Sequence, residues 1–360
     1  MRRTLVVLVI AACSQTPPAV PDAGTCGLSL ASWPEADALF TNDAQWIGAD
    51  AAYSVDLGGG RVLWLFGDTF VAKDASRSRS NAWFVRNSVA IQTGYDPSKA
   101  NAKFFWQTTA GNASSFIPEN GTHWFWPLSG VRLPTRLVLF FLEEESVSGG
   151  LGFQSVGTKV VFVTNPDADP SSWNVVDGDL PAFSFPIAFG AAVLADGPYV
   201  YAFGDEEPGD HSVYVARFDA SALDAGDASS PLFWTNAAWS PPGASAPDVI
   251  FPSASAFENP PTEFSVQKTA NGFLAVHSIG FGATQLAVRT SPAPEGPWSV
   301  VCNAFTPPES GQPGISVYAA KGHPELTGGS LVATYATNAS DLATLASDMN
   351  VYFPRFVRSP

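Results

Sequence analysis

Apolar and polar positions along this chain alternate in short extended runs broken by Gly, Asn and Pro, and no apolar stripe of period 3.6 persists long enough for a long helix. Five segments share one form: an extended run, a turn, then a strongly apolar run. They are DAAYSVDLGGGRVLWLFGD at 50–68, HWFWPLSGVRLPTRLVLFFLE at 123–143, AFGAAVLADGPYVYAFGDE at 188–206, TEFSVQKTANGFLAVHSIGF at 262–281 and SVYAAKGHPELTGGSLVATYATN at 316–338. A further strand-like piece follows each one: RNSVAIQTG, TKVVFVTN, HSVYVARFD, TQLAVRTSP and NVYFPRFV. One small sheet cannot bury both its faces alone. Five units of three or four strands therefore predict an all-β, five-bladed β-propeller, whose blades bury their faces in one another and leave only short edges. The second strand of each hairpin holds Val62, Leu137, Tyr199, Phe273 or Leu331, a spacing that requires large insertions after Ala72, at 108–122 and at 219–260. A pair of β-sandwiches is the rival fold, and the regular return of the hairpin form counts against it.

The first residues follow a different pattern. MRRTLVVLVIAAC, residues 1–13, carries two arginines, a short apolar run and a cysteine preceded by small residues. The run is far below the roughly 20 apolar residues that span a bilayer, so it predicts an export signal. VIAAC resembles a bacterial lipobox, with Cys13 as the lipidated residue. SQTPPAVPDAGT at 14–25 then suits a flexible tether, and 26–360 forms a single folded body. The expectation is an exported lipoprotein at the outer membrane or cell surface, monomeric, and held to the membrane by its lipid alone. In an oxidising compartment Cys26 and Cys302 could form one disulfide, the alternative being two buried thiols.

Composition narrows the function. The 360 residues carry 18 Lys and Arg against 33 Asp and Glu, a net charge of -15, so nothing supplies the basic surface that nucleic acid requires. A strongly anionic substrate is disfavoured on the same ground. No zinc-ligand pair, nucleophile elbow or Walker loop is present, and no metal or cofactor is expected.

The candidate chemistry lies in the first hairpin. With Gly58-Gly59-Gly60 as its turn, Leu57 stands opposite Arg61 and Asp50 opposite Asp68. Directly opposed side chains share one side of a sheet with Cβ atoms about 4.5–5.5 Å apart. Two carboxyls that close cannot both ionise freely, which suits an acid and a base or nucleophile for glycoside hydrolysis. A carboxyl separation of about 5–5.5 Å would favour retention, and about 6.5–9.5 Å inversion. The same count in the sister hairpins puts Asp205 opposite Ala188, Glu263 opposite Gly280 and His323 near Ala333, so only the first unit juxtaposes two acids. The alternative is that both aspartates merely end strands.

Supporting residues follow from position. Arg86 and Asn87 come just after the GDT strand; His123, Trp124 and Trp126 open the second unit; Glu263 opens the fourth; Tyr318, Lys321 and His323 open the fifth. All are candidates for binding sugar hydroxyls or rings. Glu143, Glu144 and Glu145 are expected on a solvated rim.

DAAYSVDLGGGRVLWLFGDT, RNSVA, PEGPWS and GHPEL...LVATYATN together resemble the exported bacterial family called domain of unknown function (DUF) 4185, over roughly residues 40–358. The resemblance implies a five-bladed propeller similar to furanoside-cleaving glycoside hydrolases, some members being endo-D-arabinanases, with the catalytic acids at the positions of Asp50 and Asp68. The function it implies is a surface-anchored hydrolase of furanoside-containing polysaccharide such as arabinan. The alternative is a non-catalytic glycan-binding or scaffold propeller. Residues 108–180 and 219–260 match that family poorly.

Overall fold

The computed structural model of the chain describes residues 27–149, 152–243, 246–252, 259–260, 262–279 and 285–360. Five antiparallel sheets stand around a ring. Their inner strands are Trp46–Gly58, His123–Arg132, Ile187–Asp196, Phe264–Thr269 and Ile315–Gly322, and their second strands are Arg61–Ala72, Leu137–Ser146, Tyr199–Glu206, Gly272–Ser278 and Val332–Ala339. Each inner strand lies beside the next and the fifth lies beside the first, so the ring closes. The five hairpins are those expected from the sequence.

Alternation alone explains the strands, and burial explains their apolar excess. The second strands lie mid-sheet with neighbouring blades on both faces, which is why Val62 to Phe66 and Leu137 to Phe141 are all buried. The main apolar clusters lie between blades: one packs the first, second and third sheets together, another the third and fourth, another the fourth and fifth.

The ring closes by a device that periodicity did not show. Ala31–Ser32 adds an outermost strand to the fifth sheet, pairing Ala31 with Arg358 and Ser32 with Val357. The short helix Pro34–Thr41 then plugs the seam between the last and first blades. Its Phe40 is fully buried, stacked 5.2 Å from Phe356 and edge-on to Trp64 at 5.0 Å. Asp37 holds the seam by accepting from the backbone N–H of Phe356 at 2.8 Å.

Four inner strands share one irregularity. Register shifts fall between Ala49 and Tyr53, between Pro127 and Gly130, between Phe189 and Ala192, and between Tyr318 and Lys321. Ala51, Ala52 and Ala319 adopt φ values of 63°, 60° and 59° there. Such bulges bend a strand and re-aim its side chains. Those of the first, second and fifth blades lie where their inner strands line one cavity.

No helix among the described residues is long and apolar enough to cross a membrane. Cys13 and Cys26 lie outside the described residues. Cys302, in the strand Cys302–Phe305, is disulfide-bonded.

Candidate active site

The first hairpin keeps the expected register through Val55↔Leu63, Ser54↔Trp64 and Tyr53↔Leu65, then breaks it. At the bulge Ala51 faces Phe66, and Ala49 faces Thr69. Asp50 is thus set across from Gly67 and Asp68 together instead of squarely opposite Asp68. Its side chain lies over Gly67, where an added Cβ would stand 2.5 Å from Asp50 Oδ1. The glycine of the FGD motif is therefore a requirement of packing. Both carboxylates line a cavity of about 320 Å³ at the bulged ends of the inner strands, with Trp126, Glu144, Glu207, His211, Glu263, Tyr318 and Tyr352 around them.

The two aspartates have opposite surroundings. Asp68 is 4% exposed and accepts from Trp126 Nε1 at 2.9 Å and from Arg86 Nη1 at 3.2 and 3.4 Å. Burial pushes its pKa up, while the Arg86 charge and these two donors oppose the shift by stabilising the carboxylate. Among the described residues Asp50 has neutral hydrogen-bond partners alone: its Oδ2 lies 2.8 Å from the Tyr318 hydroxyl and 3.3 Å from the Tyr352 hydroxyl. Burial first, then the nearby charges of Asp68 and Glu263, push Asp50 up to about 8. Near neutral pH, Asp50 holds a proton and Asp68 is the better placed of the two to be ionised. The Tyr352 hydroxyl also lies 3.0 Å from the Asp68 carbonyl oxygen, which can take its single proton and free its lone pairs toward a protonated Asp50.

Arg86 is itself held, with its guanidinium 4.3 Å over the Trp124 ring and 5.5 Å from Phe84. Trp124 supports from behind and is not part of the cavity wall, whereas Trp126 is. Asn87 serves the fold instead of a ligand. Its amide donates to the carbonyls of Ile117 and Phe125 and accepts from Ile117 N–H, pinning the 115–117 loop to the second blade.

Other expectations need correction. His323 is 1% exposed in the seam between first and last blades, bonded to Ser54 Oγ at 2.6 Å and Thr334 Oγ1 at 2.8 Å, 4.8 Å from the Trp64 ring. Burial takes it down to about 3, so it is a neutral core residue. Lys321, 1% exposed, lies behind the cavity, bound to Glu263 at 2.5 Å and 4.3 Å over the Tyr53 ring. Glu263 and Tyr318 do line the cavity. In the fourth hairpin Phe264 faces His277, a register two residues tighter than expected, and Gly280, the expected partner of Glu263, lies outside the described residues. His123 is on the rim, 2.6 Å from Glu143 and 3.6 Å from Glu145.

Between those two rim acids, Glu144 points the other way. Period-two alternation along Leu137–Ser146 turns it inward, where it is fully buried and accepts from Ser155 Oγ at 2.5 Å. Burial, with Glu207 and Asp68 nearby, pushes it up to about 8. The expectation that Glu144 sits on a solvated rim therefore fails, and the second unit too brings an acid to the cavity. Glu207 and His211, just beyond the second FGD, were also missed, although GDEEPGDH offers the signal. Tyr352 gave none: it arrives from a distant loop at φ 63°, fixed by the buried Arg79, which donates to the carbonyls of Ile47, Leu345, Asp348 and Val351.

Comparison with known proteins places this architecture. A crystal structure of a candidate hydrolase from Bacteroides ovatus ATCC 8483 superposes with a TM-score of 0.73 at 18% identity, covering 91% of this chain and 89% of that one. A GH43_1 enzyme from Xanthomonas citri complexed with xylotriose gives 0.50 at 13% identity, covering 87% of each chain. An exo-beta-1,3-galactanase from Phanerochaete chrysosporium with beta-1,3-galactotriose gives 0.50 at 13%, covering 92% of this chain and 63% of that one. At these identities the likeness is one of fold. No curated protein sequence matches the chain. The model of the family described as Domain of unknown function (DUF5005) matches residues 35–359, which overturns the resemblance to DUF4185. The hairpin motifs behind that resemblance are short and answer to propeller packing, as Gly67 shows, so they do not separate one propeller family from another. By the extent of this match, the chain belongs to the DUF5005 family.

Proposed function

We propose that the protein is a glycoside hydrolase of neutral glycans, with Asp50 as the proton-donating acid and Asp68 as the base or nucleophile. The observation that carries this reading is the contrast within one cavity: Asp50 among hydroxyls and other acids, Asp68 against a guanidinium and an indole N–H. Hydrolysis of an acetal needs a protonated group at the leaving oxygen and an ionised one at the anomeric side. Trp126 and Phe153, with ring centroids 4.8 Å apart on the cavity wall, supply apolar surface for a sugar ring. The oligosaccharides bound by two of the fold relatives support a glycan as ligand. A furanoside polysaccharide remains the substrate class to try first, and the VIAAC motif supports an exported, lipid-anchored protein.

The test uses purified protein on arabinans, arabinogalactan, xylan and galactan, with product size and anomer read directly. Asp50→Asn and Asp68→Asn should each lower kcat by at least about 10²–10⁴-fold, the span of acid–base contributions, while keeping the fold. Full turnover by either variant on a substrate the parent cleaves would refute the assignment.

A further inference from the structure

The second strand of the third blade carries the same Phe-Gly-Asp as that of the first, and what gathers beside it differs from the aspartate pair. Asp205, Glu207 and His211 bring one ligand atom each within 4.8 Å of one another, and Glu207 and His211 form part of the cavity wall. His211 Nδ1 lies 2.8 Å from Asp205 Oδ2 and 3.4 Å from Glu207 Oε2. Thr262 braces both carboxylates, its N–H reaching Asp205 Oδ2 at 3.2 Å and its hydroxyl reaching Glu207 Oε2 at 2.8 Å. The second observation is an orphan: Asp205 has no exposed surface, and among the described residues its Oδ1 has no hydrogen-bond partner. A buried carboxylate oxygen left unpaired is costly, and among the described residues no other side chain pairs with it.

We infer that Asp205, Glu207 and His211 form a divalent-cation site in the wall of the glycan cavity. The donor set selects the ion. One imidazole nitrogen with carboxylate oxygens suits zinc or manganese, whereas calcium and magnesium favour oxygen-only shells. Donors on a tetrahedron about 2.0–2.2 Å from zinc stand about 3.3–3.6 Å apart. The His211–Glu207 separation of 3.4 Å already meets that spacing. The His211–Asp205 pair must open from 2.8 Å, which a small turn of the exposed-side imidazole permits. Three protein ligands leave a coordination position toward the cavity, where a sugar hydroxyl or water would complete the shell.

Cation binding is read without substrate, so its outcome is independent of whether the protein proves to be a hydrolase. Full-length protein freed of metal with chelator is titrated calorimetrically with ZnCl₂ and MnCl₂, and with CaCl₂ and MgCl₂ as comparison arms, alongside thermal unfolding. One equivalent of zinc or manganese should bind saturably and raise the unfolding midpoint, and His211→Gln and Asp205→Asn should each weaken that binding at least about tenfold, the scale of losing a ligand or its support. His211→Gln keeps the test decisive if the buried Asp205→Asn variant fails to fold. The proposal is overturned if neither ion binds saturably, if His211→Gln binds as the parent does, or if calcium or magnesium binds more tightly than both.

Discussion

The second strands of the first and third blades carry the same three residues, Phe66-Gly67-Asp68 and Phe203-Gly204-Asp205, and use them differently. In both, the aspartate is buried at the cavity end of the sheet. In the first blade the glycine makes room for another side chain, Asp50. In the third it makes room for backbone, because a Cβ on Gly204 would press on the carbonyl of Ala188 and the Cα of Phe189. The aspartates also differ in counter-ion: Asp68 has a guanidinium, which stays charged, and Asp205 has His211, whose charge depends on pH. The motif thus delivers a buried carboxylate to the channel, and the facing strand and the following loop decide its chemistry.

The strongest way to break the comparison is to remove the fixed cation. Arg86→Met leaves Asp68 buried without its partner, an alteration worth about 3–5 kcal/mol when a buried pair is broken. Asp68 must be ionised to act as base or nucleophile, and losing Arg86 raises its pKa. The acidic limb of the kcat/KM–pH profile should therefore move to higher pH, and an unmoved limb would show that Asp68 does not titrate in catalysis.

The two glycines give a smaller and sharper contrast. Gly204→Ala meets backbone and should cost about 1–3 kcal/mol of stability, the usual range for overpacking, seen as a lower unfolding midpoint. Gly67→Ala meets the tip of a side chain, so stability should change less while turnover falls as Asp50 is displaced. Equal loss of stability in both would mean that Gly67 has no role specific to the site.

The smallest expected effect concerns Glu144, the inward acid of the second blade. Its folded pKa, about 8, exceeds its ordinary value of 4.5. Between those values the unfolded chain releases a proton that the folded chain keeps, so this residue's contribution falls as pH rises from about 4.5 to about 8. Glu144→Gln removes that loss. The variant should gain stability over the parent by up to about 2 kcal/mol at pH 8, a discount on a full linkage shift at 1.36 kcal/mol per unit. The advantage should vanish near pH 4, as denaturant midpoints at both pH values would show.

How far the site could be read from sequence depended on the range of the contacts. Asp50 and Asp68 were legible as near neighbours because a hairpin register is a local count from a turn, and Trp126 followed from its place at the opening of the second unit. His323 was misjudged because a polar residue on an inner strand reads the same whether it faces the channel or a seam between blades. Glu144 was misjudged because three consecutive acids look solvated, although alternation must send the middle one inward if the strand continues. Tyr352 and Arg79 were invisible: a tyrosine near the C-terminus reaches Asp50 across 302 positions, and no local pattern encodes that approach.

By itself the sequence determined the five hairpins, the places of their turns and the register in the middle of the first, because alternation and turn chemistry act over a few residues and the propeller repeats them. The tertiary structure alone decided the bulges that set Asp50 over Gly67, the closing strand Ala31–Ser32, and the meeting of five acids in one cavity. Those features arise where separate blades converge on the channel. There a side chain's charge depends on burial and on neighbours from other blades, and neither is written in the order of its own strand.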